Sequence, residues 1–147
     1  MAGVYINITG DGIETLQTIE QRSKAPDDML DDIGAFLDMD VTKRFLDELA
    51  PDGTRWQQSE AARTGQGRDP EVPGLTLTDK RNLAGSVTHN VDNGVLEQGL
   101  GEEYSAIHHF GGKAGRKHSV TLPARPIIGI EQYQAGEVLG IVSDWLV

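Results

Sequence analysis

The stretch PDDMLDDIGAFLDMDVTKRFLDELA, residues 26–50, decides the fold. Met29, Leu30, Ile33, Phe36, Leu37, Val41, Phe45 and Leu49 recur at helical spacing, so one α-helix would gather them into a single apolar stripe. Asp31, Asp32, Asp38, Lys43, Arg44, Asp47 and Glu48 fill the wet positions between them. Pro26, Asp27 and Asp28 mark the start, because proline suits the first helical turn and acids suit the positive end of the helix dipole. The helix is expected to run to Ala50 and to stop at Pro51, which cannot continue it. It reads as a solvated rod docked along one stripe.

Upstream, Asp11 stands three residues before Glu14, a capping-box arrangement that opens a shorter helix with Ile13, Leu16 and Ile19 on one face. Val4, Ile6 and Ile8 alternate with Tyr5, Asn7 and Thr9, the period of a half-buried strand. Downstream, prolines and glycines break up residues 51–74, and Trp56 is the one large apolar side chain there. That segment is expected to be an extended loop or arm that orders against a partner.

A short helical turn follows near residues 79–85. Val87, His89 and Val91 then alternate as a strand, Asp92-Asn93-Gly94 signals a tight turn, and a second strand returns over residues 95–100. Residues 102–110 predict a short helix with Tyr104, Ile107 and His108 inward, ended by Gly111-Gly112. Lys113, Arg116, Lys117 and His118 make the next loop basic, and Val120 and Leu122 begin a short strand. Pro123-Ala124-Arg125-Pro126 is stiff and extended, since a residue before proline is pushed out of helical geometry. Ile127, Ile128 and Ile130 return to the core. Val138, Ile141, Val142, Trp145 and Leu146 give a last amphipathic helix. These elements predict one α+β domain over residues 1–147, with N-terminal helices, a small mostly antiparallel β-sheet and a C-terminal helix.

Charge and composition narrow the function. The chain has 147 residues, no cysteine and a net charge of −10. Residues 1–60 hold 13 acids against 5 bases, a net of −8, and residues 61–147 hold 10 against 8, a net of −2. A protein that grips nucleic acid usually carries the opposite sign. Without cysteine there are no disulfides and no thiolate metal sites. No apolar run approaches the roughly 20 residues of a membrane span, and the N-terminus lacks the pattern of a signal peptide. A soluble protein made in a cytoplasm is expected.

The catalytic templates find no match. His108 and His109 are neighbours on a helix, where successive side chains diverge by about 100° and do not converge on one ion. The glycine-rich, basic run from Gly111 to Ser119 lacks the GK[ST] ending of a phosphate loop. Ser86 follows Gly85 but sits in no G-x-S-x-G elbow. Neither an enzyme nor a bound cofactor or metal is expected. Arg125, held near two prolines, is a stiffly mounted guanidinium able to fork onto a carboxylate, either on an acidic helix of its own chain or on a partner.

Two segments, Tyr104-Ser105-Ala106-Ile107-His108-His109-Phe110-Gly111-Gly112 and Leu122-Pro123-Ala124-Arg125-Pro126-Ile127-Ile128-Gly129, resemble the "YA-x-IHQFGG … IPARPFLG" signature of the phage virion morphogenesis family, the tail-completion proteins of Mu-like and P2-like phages. Pro51-Asp52-Gly53-Thr54-Arg55-Trp56 is similar to that family's P-x-G-x-x-W, and residues 83–87 to its "G-x-L-x-x-S-I" stretch. The matches span residues 45–130 in the right order. His109 stands where the signature has glutamine, and Ile127 where it has a bulky aromatic.

The resemblance implies a non-enzymatic subunit that finishes the tail or joins it to the filled head. It further implies a homo-oligomeric ring, a hexamer by the tail's sixfold symmetry, in the virion neck or tail end and assembled in the host cytoplasm. Partners would be copies of itself and neighbouring tail-tube or head-tail connector proteins, with DNA passing through rather than specifically bound. Interface candidates are Trp56, His108, Phe110, Gly111, Gly112, Lys113, Arg116, Lys117 and Arg125. The rival readings are a connector or adaptor contacting portal or DNA, and a small hydrolytic enzyme.

Overall fold

The structure, a computed structural model, describes residues 11–65 and 74–146. The strand expected at Val4, Ile6 and Ile8 lies outside them. The chain runs through α1 (Asp11–Ser23), α2 (Asp27–Asp47), α3 (Glu60–Thr64), α4 (Asn82–Gly85), β1 (Val87–Asp92), β2 (Val95–Leu100), α5 (Ser105–Phe110), β3 (Gly112–Ala114), a 3-10 turn (Arg116–His118), β4 (Val120–Leu122) and α6 (Gln132–Leu146). The class is α+β, with N-terminal helices and a C-terminal helix. The expected single sheet is instead two separate antiparallel hairpins, β1–β2 and β3–β4. Each is short, and each is backed by helix rather than by more strands.

Helix α2 organises the rest. Its 21 residues span roughly 31 Å. Ile33, Leu37, Val41 and Phe45 are buried, four turns of the expected stripe. The helix ends at Asp47, earlier than expected, because Glu48 adopts a left-handed conformation (φ 56°) and turns the chain back. Ala50 N–H then donates to Thr54 O at 2.8 Å, and Thr54 N–H to the Asp52 carboxylate at 2.8 Å. Pro51-Asp52-Gly53-Thr54 is therefore a tight turn. It delivers Trp56 onto Phe45, with ring centroids 5.5 Å apart and planes at 72°. The expected arm thus begins as core: Trp56 is buried, and Ser59 caps α3 by accepting from Ala62 N–H at 3.1 Å.

The β1–β2 hairpin lies along α2 and turns at the expected Asn93-Gly94, with Asp92 opposite Val95 beside the turn and Val87 opposite Leu100 at the far end. The turn sits over the start of α2, where Gly94 N–H donates to Asp27 at 3.0 Å. Midway, His89 lies against Gly34: a Cβ built on Gly34 would stand 2.2 Å from the imidazole, so only glycine lets the hairpin approach this closely. The imidazole is held by two carboxylates, Nδ1 to Asp38 at 2.7 Å and Nε2 to Asp31 at 3.1 Å. Gln98 donates to the other Asp38 oxygen at 2.8 Å.

Two carboxylates facing both ring nitrogens are satisfied by the imidazolium, the form that donates from both. The Asp38 hydrogen bond, chiefly, raises the pKa of His89 above its ordinary 6.5. A raised folded-state pKa gives stability that is full below the unfolded value and lost as pH climbs through the folded one. His108 and His109 are shifted the other way, by burial. The test is therefore a difference: the stability gap between wild type and His89→Gln in urea denaturation is expected to be widest at pH 6 and to narrow by pH 8.5. A gap independent of pH would show that His89 is not charged in the fold.

Helix α6 packs its half-buried Val138, Ile141, Val142, Trp145 and Leu146 towards α2 and α1. Only part of the expected α1 stripe is covered. Ile13 and Ile19 are half-buried, and Leu16 is 66% exposed. No helix among the described residues is long and apolar enough to cross a membrane.

Candidate functional site

Between α5 and α6 the chain crosses the end of α2, and polar side chains grip its main chain there. Arg44 is the largest departure from expectation. Assigned to the wet face, it is 5% exposed. Its guanidinium donates to Ile127 O at 2.7 Å and to Gly129 O at 3.1 Å, and it pairs with Asp40 one turn earlier. Asp40 also accepts from the Gln134 amide at 3.2 Å, and Gln134 accepts from Glu131 N–H at 3.0 Å. Trp56 Nε1–H donates to Pro126 O at 2.9 Å. His109 Nδ1 accepts from Ile127 N–H at 3.1 Å, an acceptor role that a glutamine oxygen would also fill. Residues 126–129 are thus fastened by four hydrogen bonds from three side chains, Arg44, Trp56 and His109, and Ile127 is fully buried beneath them.

Beside this clamp lies an open cleft of about 760 Å³, walled by Gln57, Leu77, Leu83, Tyr104, His108, Pro123 and Arg125 among others. Arg125 is 4% exposed. Its backbone N–H donates to His108 O at 2.8 Å and its Nε–H to Gln57 O at 2.7 Å. The intramolecular bridge to an acidic helix does not form: among the described residues no carboxylate pairs with Arg125. Burial lowers its pKa from the ordinary value, but a guanidinium stays charged at neutral pH. Burial, and then the Arg125 charge, lower the pKa of His108, so that ring is neutral. Its Nδ1 is buried with no hydrogen-bond partner.

From the rim of the cleft rises the β3–β4 hairpin. Gly111 makes the corner at φ 72°, and a Cβ there would stand 2.6 Å from Ala124 N, so a side chain is excluded both by the backbone angle and by space. Gly112 pairs with Leu122 at the hairpin base. Lys113, Arg116 and Lys117 are exposed and make no ion pair among the described residues, and Phe110 beside them is 76% exposed.

The nine candidates therefore separate. Trp56 is a core residue. His108 and Arg125 line the cleft, the two glycines shape the corner, and Phe110 with the three basic residues forms an exposed cationic and aromatic edge. Tyr104, expected inward, is 41% exposed. Sequence reasoning missed Arg44, Asp40 and Gln134. The i,i+4 spacing of Asp40 and Arg44 was the one local signal, and it reads as an ordinary surface pair.

Ser86 donates to Leu83 O at 2.8 Å, and Ser59 caps α3. Among the described residues no group of three His, Asp or Glu side chains is placed to hold a metal ion. The fold and the site define an α+β protein whose polar side chains fasten its own main chain and leave one cationic edge outward. The chain belongs to the phage virion morphogenesis family, whose model matches residues 12–147. Over 72 residues it is 39% identical to the "Mu-like prophage FluMu G protein 2" of Haemophilus influenzae, a match that covers 49% of this chain and 52% of the relative. The chain thus spans about half the length of the curated relative it matches. No solved structure matches it. Its role lies in phage morphogenesis.

Proposed function

We propose that the chain is a structural, non-catalytic subunit acting in tail completion and head–tail joining at the phage neck, as one member of a homo-oligomeric ring. The observation that carries this is that exposed acids and exposed bases sit on separate elements. Asp27, Asp28, Asp31 and Asp32 crowd the first turns of α2, under the β1–β2 turn. Lys113, Arg116 and Lys117 are exposed on the separate β3–β4 hairpin and the 3-10 turn within it. Opposite charges on separate elements of one subunit favour head-to-tail contacts, which close into rings. The net charge of −10 repels a phosphate backbone, so DNA is a passenger through the ring rather than a ligand.

Light scattering on the purified chain tests this. A ring is expected in about 50 mM salt and its dissociation towards about 1 M, where screening shortens the reach of exposed charges to roughly 3 Å. Changing Lys113, Arg116 and Lys117 to Gln is expected to weaken association about tenfold or more. A chain that stays monomeric at every salt and concentration would sink the proposal. Particles lacking the gene divide the roles: tailless heads beside finished tails indicate joining, and tails of abnormal length indicate completion.

A further inference from the structure

We propose that the cleft over Arg125 is a carboxylate site, filled by Asp28 and Asp32 of a second copy of this chain. The inference rests on the ring reading and specifies its contact.

Arg125 is 4% exposed, yet its two terminal nitrogens make no hydrogen bond or ion pair among the described residues. They are not sealed in either: the buried side-chain atoms without a partner include His108 Nδ1 but no nitrogen of Arg125. The guanidinium is thus anchored by its Nε and backbone N–H and turns its fork to the cleft it lines. A buried charge without a counter-ion is costly, and a bidentate carboxylate is the ligand that fits a guanidinium fork. The neutral His108 beside it adds no competing charge.

The acids that match are on the page. Asp28 and Asp32 are exposed, lie one turn apart on α2, and make no hydrogen bond or ion pair among the described residues. Their neighbours Asp27 and Asp31 are already engaged by Gly94 and His89. The chain's own acids in the cleft wall are engaged elsewhere, Glu60 by Arg63 and Asp79 by another partner, and Asp28 and Asp32 of the same chain lie too far away to reach it. Leu83, in the cleft wall, packs in one cluster with Val41 and Phe45 near the end of α2, roughly 25 Å along the helix axis from Asp28. Only another copy can bring the two together, and it does so head to tail. Duplex phosphate offers a similar oxygen geometry, but the net charge of −10 opposes it.

The experiment uses the full chain and analytical ultracentrifugation. The variant pair Asp28→Asn with Asp32→Asn changes exposed positions only and is expected to weaken self-association about tenfold or more, with the fold intact by circular dichroism. Arg125→Lys keeps the charge but not the fork, and it is expected to show a similar loss. Combined, the changes should cost no more than either alone. Mixing the acid-deficient chain with the Arg125→Lys chain should yield a heterodimer and no ring, because one intact contact remains. If Arg125→Lys fails to fold, the acid pair alone decides.

Undiminished assembly of the acid-pair variant would overturn the contact while leaving the ring in place, and so would strictly additive losses. Duplex DNA bound by wild type and released by Arg125→Lys, with self-association unchanged, would assign the fork to phosphate and overturn it as well. A wild-type monomer would overturn the ring itself.

Discussion

Trp56→Ala is expected to lower the free energy of unfolding by about 3–5 kcal/mol, the range for deleting a buried large aromatic. Trp56 is 5% exposed and packs edge-on against Phe45, in a cluster with Val41, Ala50, Leu83 and Ile127. Truncation leaves a cavity in that cluster and frees the Pro126 carbonyl. The 51–54 turn keeps its backbone tie, because the main-chain N–H of residue 56 still donates to Glu48 O, 2.8 Å away in the wild type, so the loss is that of the side chain's packing and its indole bond. Urea denaturation followed by the fluorescence of Trp145, which is half-buried on α6, measures the loss. Trp56→Phe keeps most of the apolar volume and is expected to cost less than half as much. Equal losses for both variants would assign the effect to the indole N–H, and a loss under about 1 kcal/mol would show the cluster to be dispensable.

Arg44→Ala is expected to cost a similar amount, about 3–5 kcal/mol, for a different reason. Deleting the guanidinium strands Asp40, whose carboxylate is only 12% exposed, and leaves the Ile127 and Gly129 carbonyls without their donor. The loss should spread to α6, because Gln134 is held by the same Asp40 oxygen. Arg44→Met with Asp40→Leu removes both charges together. That pair is expected to be markedly less destabilising than the sum of the single changes, since neither partner is left buried alone. Additive losses in the urea midpoints would show that the pair does not act as a unit.

The parts of this fold that are local were legible. Ile33, Leu37, Val41 and Phe45 announce α2 by their spacing, Asn93-Gly94 announces the β1–β2 turn, and the Val138 to Leu146 stripe announces α6. What stayed hidden depends on partners far along the chain. Arg44 meets residues 83 and 85 positions away, so its own neighbourhood of Asp40, Lys43 and Asp47 reads as solvent face. His89 looks like one more inward strand residue until Asp31 and Asp38 are set against it across Gly34.

Trp56 had a signal that pointed the wrong way. In the sequence Pro51-Asp52-Gly53 looks like the start of an arm, whereas Glu48 and the Asp52 side chain close it into a turn. The candidate site was half legible. Arg125 and the Lys113–Lys117 cations stand out in the sequence. The cleft over Arg125 exists only because the segments around Gln57 and Leu83 fold against β4.

The crossing segment at 126–129 is gripped through its amide groups: Pro126, Ile127 and Gly129 offer carbonyls, and Ile127 also its N–H. Grips of that kind do not read side-chain identity. The half-buried Ile128 contributes no polar group to them, so drift at that position should leave the route of the backbone unchanged. Related chains can then vary what this crossing displays while keeping where it runs.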